Sequence, residues 1–505
     1  MAEALARNVS SWRIRPRAPK ASNDSTVTSE HGGKASGVSP GLPPVLGRRF
    51  RYLWATFVVA SLGDGFGYGA VPLLAFFVDP RPLAVSGAAA ADTFPWLVLA
   101  LPAGAIADRF ERARVMALTN MGRALVIAIL AALIATRHLD YFLLVLLVFM
   151  NGGARAVYYS ASQATVPELV EARAFPRANG ILSGTEAATE HLGGPILGTL
   201  AFAAAKAIPF FADAAAVGLS GLSLLGFRTD RLSPGPSHHS ILDGVRQLMR
   251  DRSLRLLVSL LAALAGLQGL VMGVLVIVAT VDWGVPKSLY GVFLAVGAAG
   301  NVPGALLADR MATRIGNVPT LVASALVSGV AYLVMSSTKG WLIAGVAFFV
   351  VSFAVYAGSV MANSLRQRLS PRDLMGRVGS AWRGVVWGAF PIGSLVGGAL
   401  ADKWGVRLPI FIAGIAQCVV AIVLAGPLTR SLAASEKEVA SAAIERALDS
   451  SANSTGLLTS PASGAKALSP TLELETPAVP PGRRLHSRPR RKPFYWGRSS
   501  RNWRR

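Results

Sequence analysis

This chain is short of charge. Only 15% of its 505 residues are Asp, Glu, Lys or Arg, where a soluble domain carries about a quarter. Acid is scarcer than base, 27 residues against 50, which leaves a formal net charge of +23. A soluble multidomain protein would interleave charge with apolar residues at helical or strand period, and this chain does not. Cysteine is nearly absent: Cys418 stands alone in an apolar block, forms no intramolecular disulfide and gives no sign of a redox compartment. No Gly-Lys-Ser/Thr phosphate loop is present, which argues against an ATP-driven pump. His-Glu-x-x-His, Gly-x-Ser-x-Gly and Cys/His clusters are missing too. No enzymatic activity, cofactor or metal site is expected. The first 47 residues are polar and rich in Ser and Pro, so no cleavable signal peptide is read and the first apolar block serves as its own insertion signal.

What is present is apolar sequence in long blocks. Hydrophobic residues make up 52% of the chain, gathered in runs long enough to cross a bilayer, which takes about 20 residues as a helix. The 51 glycines would weaken soluble helices but suit close packing between membrane helices. The fold class is therefore an all-α polytopic membrane protein. Its twelve transmembrane helices form two pseudo-repeated six-helix bundles. Five segments are read: a disordered tail over 1–49, a first bundle over 50–227, a polar linker over 228–255, a second bundle over 256–430 and a disordered basic tail over 431–505. The linker holds a short amphipathic helix around Ile241, Val245 and Leu248.

Basic residues set the orientation. Arg109, Arg112 and Arg114 follow span 2, Arg173 and Arg177 follow span 4, Arg310 and Arg314 follow span 8, and Arg366, Arg368, Arg372 and Arg377 surround the end of span 10. By the positive-inside rule these loops and both termini are cytoplasmic, in a multi-pass protein of the cell inner or plasma membrane. One connection disagrees, because Asp402, Lys403 and Arg407 fall on the external side.

The halves repeat. Pro102 to Arg109 (PAGAIADR) returns 201 positions later as Pro303 to Arg310 (PGALLADR), and Pro167 to Arg173 (PELVEAR) is matched by Pro371 to Arg377 (PRDLMGR). Paired halves suit alternating access, one bundle rocking against the other.

The first copy, Gly104-Ala-Ile-Ala-Asp108-Arg109 followed by Arg112 and Arg114, resembles the loop signature of the major facilitator superfamily, and the resemblance covers about residues 50–430. It implies a cytoplasmic latch of Gly104, Asp108, Arg109, Arg112 and Arg114, with Asp309 and Arg310 in the second copy. Gly194, Pro195 and Gly198 in span 5 resemble the Gly-Pro motif of drug-exporting antiporters in that superfamily, with Thr199 in place of its last Gly. Three further segments resemble the branch of enterobactin exporter-like and macrolide efflux-like proteins: Ser61 to Gly65, Gln163 to Leu169 and Pro209 to Ala214.

Ionisable residues inside a membrane are costly and mark function by default. Asp64, Arg155 and Glu190 stand 13 residues from the cytoplasmic landmarks Arg51, Glu168 and Arg177, hence about 20 Å deep at 1.5 Å per residue. With Glu186 they form the candidate coupling and substrate centre. Arg155 is expected to offset one carboxylate and leave another to carry a proton. Asp92 and Asp213 read as outer-face residues with interfacial or capping roles, and Arg383 as a snorkelling residue. Ten basic and four aromatic residues with no acid fill 481–505, a pattern expected to lie on anionic lipid rather than nucleic acid. The function these features imply is a secondary transporter, a proton-coupled exporter of an amphiphilic small molecule such as a drug, siderophore or secondary metabolite. A nutrient importer or facilitator, or a non-transporting membrane receptor or scaffold, is the alternative.

Overall fold

The computed structural model describes residues 46–171, 174–227, 241–371 and 374–456. Within these, the side chains of 100, 101, 103–109, 176, 241–243, 376 and 433–456 lie outside the description. Among the described residues the chain is helical throughout, as a segment in lipid must be to satisfy every backbone N–H and C=O internally.

Six helices make the first half: α1 (Arg48–Val78), α2 (Pro82–Arg109), α3 (Arg112–Ala135), α4 (Tyr141–Leu169), α5 (175–204) and α6 (Ile208–Leu225). Six make the second: α7 (Arg252–Met272), α8 (Lys287–Ile315), α9 (Asn317–Ser337), α10 (Trp341–Leu369), α11 (Met375–Trp404) and α12 (Leu408–Gly456). Asp140 and Asp251 cap α4 and α7, each carboxylate accepting from the backbone N–H three residues on. Eleven of the twelve are long and apolar enough to cross a membrane.

The exception is α5, which comes in three pieces: Phe175–Glu186, a π-helical Ala187–Gly193, and Gly194–Ala204. Pro195 has no N–H to give to the preceding turn, so the α-helical ladder must break here. A π stretch re-phases the helix around the break, and such stretches gather at functional sites.

A short helix, Ile241–Arg250, sits where the amphipathic linker helix is expected. At the other end the structure differs from the sequence reading. The backbone stays helical to Gly456 instead of ending near 430, because Ala, Glu, Lys and Leu from 432 on are strong helix formers. Among the described residues, those up to Glu438 belong to one compact unit and those from Val439 to Gly456 to a second.

Two ends of the first unit are distinguished by chemistry. One carries the Arg-rich loops and is called the basic end. At the opposite end one apolar cluster runs through both halves, from Leu74, Val85 and Phe210 to Val274, Phe293 and Ile410. Toward the basic end the core divides, Leu53, Met116 and Leu224 packing in the first half and Leu257, Met361 and Leu428 in the second. The halves are thus fused at one end and separate toward the other. Of the charges between α11 and α12, Arg407 donates to Asp282 at 2.6 Å, tying the start of α12 to the segment after α7.

Candidate functional site

Between the halves lies a cavity of about 510 Å³. Asp64 of α1, Arg155 of α4, Glu186 and Glu190 of α5 all line it, so the structure brings the four coupling candidates together. Glu190 falls in the π-helical piece and is 6% exposed. It is ion-paired with Arg155, whose Nε also lies 3.9 Å from Asp64.

A second cation completes the cluster. Arg123 of α3 is fully buried and forms an ion pair with Asp64. Its Nε donates to Asn151 at 3.1 Å and its Nη1 to Asn120 at 3.4 Å, and Asn120 in turn donates to Ser220 of α6. Sequence reasoning missed Arg123, although the rule that singled out Arg155 applies equally to a residue in the middle of span 3. The consequence is a correction. Arg155 does offset one carboxylate, Glu190, but Asp64 is not left unpaired, because Arg123 supplies a second cation. A buried charge is tolerable only when paired and hydrogen-bonded, and the alternating sequence Arg123, Asp64, Arg155, Glu190 meets that condition across four helices.

Two outer-face readings also change. Asp213 of α6 is 4% exposed and lines the cavity with Asp64, and Asp92 of α2 lines it as well. Neither is interfacial. Arg383 of α11, read as snorkelling, is exposed toward the same space. The second half contributes five aromatic residues, Tyr290, Phe348, Tyr356, Trp387 and Phe390, among aliphatic and polar ones, and no acid. Rings thus line both sides, Phe57, Tyr68, Trp96, Tyr158, Tyr159 and Phe210 in the first half, while the acids come from the first half alone. Such a space can accommodate a molecule with both an apolar body and a polar or cationic group.

The Gly-Pro motif closes the opposite end. A side chain at Gly194 would strike Gly65, and one at Gly198 would strike the backbone of Phe66, so α5 and α1 touch backbone to backbone. Pro195 then presents its carbonyl side to Gly291 of α8, where a Cβ has no room either. Thr199, which departs from the motif, has a definite place: its hydroxyl accepts from the Gly291 N–H at 3.2 Å and lies 3.0 Å from the Pro195 carbonyl. Across the other seam, Ser394 of α11 donates to the Ser86 carbonyl of α2 at 3.0 Å.

Of the latch residues, the side chains of Gly104, Asp108 and Arg109 lie outside the description. Arg112 donates to Glu168 and to the Ala164 carbonyl, both at 2.5 Å, which joins the start of α3 to the PELVEAR segment at the end of α4. Arg114, Asp309 and Arg310 are exposed at the basic end. The basic segment 481–505 lies outside the described residues, and among the described residues no group of His, Cys, Asp and Glu could hold a metal ion.

A family model described as transmembrane secretion effector matches residues 39–454. The chain belongs to this family of major facilitator transporters. The MFS-type transporter YfiS of Bacillus subtilis (strain 168) is 27% identical over 380 residues, covering 72% of this chain and 89% of its own. The multidrug efflux pump Tap of Mycolicibacterium fortuitum is 26% identical over 366 residues, 69% of this chain and 88% of the pump. Among solved structures, a POT family transporter, PepTSo, superposes with a TM-score of 0.62 at 12% identity, covering 77% of this chain and 99% of that one. A bacterial homologue of the human lysosomal transporter Spinster gives 0.61 at 13%, covering 76% and 96%. At such identities the structures establish the fold alone. The transporter is a multi-pass helical membrane protein that acts on small molecules.

Proposed function

We propose that this transporter is a proton-coupled exporter of an amphiphilic small molecule, in the cell membrane with both termini and the basic end cytoplasmic. One observation carries the reading: an alternating chain of two arginines and two carboxylates in the first half, largely buried, borders a cavity between the halves that is lined with aromatic residues from both. Buried ionisable groups in a membrane are retained for ion or substrate movement. Ion pairs that bridge four helices are the kind of contact whose rearrangement links protonation to helix movement. The opposite end is external in this reading, and the Gly-Pro motif seals it in this conformer. The efflux-pump relative Tap supports the direction.

Gly104, Asp108, Arg109, Arg112 and Arg114, with Asp309 and Arg310, act as the cytoplasmic latch that closes when the external seal opens. Asp108 does so by meeting a helix N-terminus or an Arg of the other half. The basic segment 481–505 rests on anionic lipid, each Lys or Arg contributing on the order of 1 kcal/mol.

The test uses purified protein in liposomes with an imposed pH gradient and a panel of fluorescent dyes, ethidium and Hoechst 33342 among them. Dye should accumulate against its gradient when the proton gradient is present and stop when an uncoupler collapses it. Transport indifferent to the uncoupler would refute proton coupling, and transport of none of the dyes would refute the exporter reading.

A further inference from the structure

The ion-pair chain leaves over three acids of the cavity, Asp92, Glu186 and Asp213, and of these Asp213 is the least exposed. It sits on α6, which packs on α1 and α3. Its carboxylate faces two glycines one helical turn apart on α1, on either side of Asp64. A Cβ at Gly63 would fall 2.6 Å from Asp213 Oδ1, and one at Gly67 would fall 3.3 Å from Oδ2. The carboxylate therefore lies in a groove of bare backbone, with no donor side chain from α1, and its Oδ1 is buried without a hydrogen-bond partner.

The groups that face Asp213 are accounted for. From α1 comes Asp64, from α3 Arg123, and behind them Arg155 of α4 and Glu190 of α5. The piece Gly194–Ala204 of α5, which also touches α6, carries no ionisable side chain. Both arginines are already committed, Arg123 to Asp64, Asn151 and Asn120, and Arg155 to Glu190 and Asp64. The two pairs are neutral together. An ionised Asp213 would add one buried negative charge with no counter-ion, at heavy cost, whereas a protonated Asp213 leaves the set neutral.

We propose that Asp213 carries the transported proton, and that its ionisation state decides whether Arg123 stays with Asp64. A proton from water on the external side adds to the Asp213 carboxylate when the cavity faces that side. When the cavity faces the basic end, the O–H bond breaks and the proton leaves to water there. The carboxylate formed competes with Asp64 for Arg123, which loosens the contact of α1 with α3. The inference rests on the proton-coupled reading above and names the group that does the carrying.

Liposomes separate the two. In Asp213→Asn, a fixed mimic of the protonated acid that also lines the cavity, dye exchange without a gradient should be impaired far less than gradient-driven transport. The variant should lose pH-gradient-driven accumulation at least tenfold and show a flat pH profile, and Asp213→Glu should restore part of both. Gradient-driven transport by Asp213→Asn with an unchanged pH profile overturns the proposal. So does equal loss of exchange and driven transport that Asp213→Glu does not relieve, since that is a structural defect. A second measurement needs no variant: dicyclohexylcarbodiimide, which attacks protonated carboxyls in apolar surroundings, should label Asp213 of the unmodified protein, less as pH rises. Label on other carboxyls with none on Asp213 also overturns it. If the unmodified protein shows no gradient-driven transport of any dye, the exporter reading fails, and the labelling pattern still decides whether Asp213 holds a proton.

Discussion

The two halves share a fold but not a chemistry. In the first, ionisable groups occupy the interior: Asp64, Arg123, Arg155, Glu190 and Asp213 meet among α1, α3, α4, α5 and α6. In the second, the buried interior is apolar with a few hydroxyls and amides, and Arg383 is the charged side chain it brings to the cavity. Gln417 donates to Ser328, while Ser324 and Tyr332 are buried with hydroxyls that have no hydrogen-bond partner. The position 201 residues after Arg123, the spacing of the repeated loops, is Ser324. The repeat preserved helix lengths and connections while the charged centre was placed in one half only. The second half contributes apolar and polar cavity surface without acids, and one side of the contact at Gly291. This division suits a rocker in which one half senses protonation and the other supplies the partner against which it moves.

The sharpest way to break that contrast is to remove the cation from the first half. Arg123→Ala leaves Asp64 buried beside Asp213 with a cation lost, and breaking a buried pair in this way costs about 3–5 kcal/mol. Transport should vanish and the thermal unfolding midpoint in detergent should fall steeply. Ser324→Ala, at the repeat-related position, should unfold within about 1 kcal/mol of the unmodified protein and transport normally. Equal damage from both would mean that the halves are not chemically distinct.

The loops at the basic end extend the comparison with a smaller effect. Arg112 joins α3 to α4 through Glu168, whereas its counterpart Thr313 bonds only to the Arg310 carbonyl of its own turn. Arg112→Ala should destabilise by about 1–3 kcal/mol, since the Glu168 carboxylate it leaves is largely buried, and should slow efflux. Thr313→Ala should do neither. Thermal unfolding and dye efflux in cells, each at matched membrane abundance, read both.

Thr199→Val carries the smallest effect. It removes the acceptor for the Gly291 N–H at the seal, at about 1 kcal/mol, and should raise hydrogen exchange at Gly291 severalfold with dye binding retained. Unchanged exchange at that amide would mean that the hydroxyl plays no part in the seal.

Much of this was legible in the sequence. The spans were readable because lipid forces long apolar helices, and Asp64, Arg155, Glu186 and Glu190 because charge is rare inside them. Pairing was not. Arg123 lies about 16 Å along α3 from Arg112 at 1.5 Å per residue, a depth as telling as that of Arg155, but depth says nothing of which helix face meets which neighbour. Asp213 shows the same limit: its nearness to the start of α6 suggested the interface, while Gly63 and Gly67 on another helix draw it inward. The break in α5 was foreshadowed by Pro195, but the π stretch that turns Glu190 toward Arg155 depends on how α5 packs against α1.

The central claim is that the charged centre of the first half couples proton movement to transport, and Glu190→Gln tests it most directly. This change removes one charge of the chain and nearly preserves its shape. Measured in liposomes over a pH series, Glu190→Gln should bind and exchange dye but fail to accumulate it against a gradient. Normal gradient-driven transport by Glu190→Gln and by Asp64→Asn across that series would contradict the account.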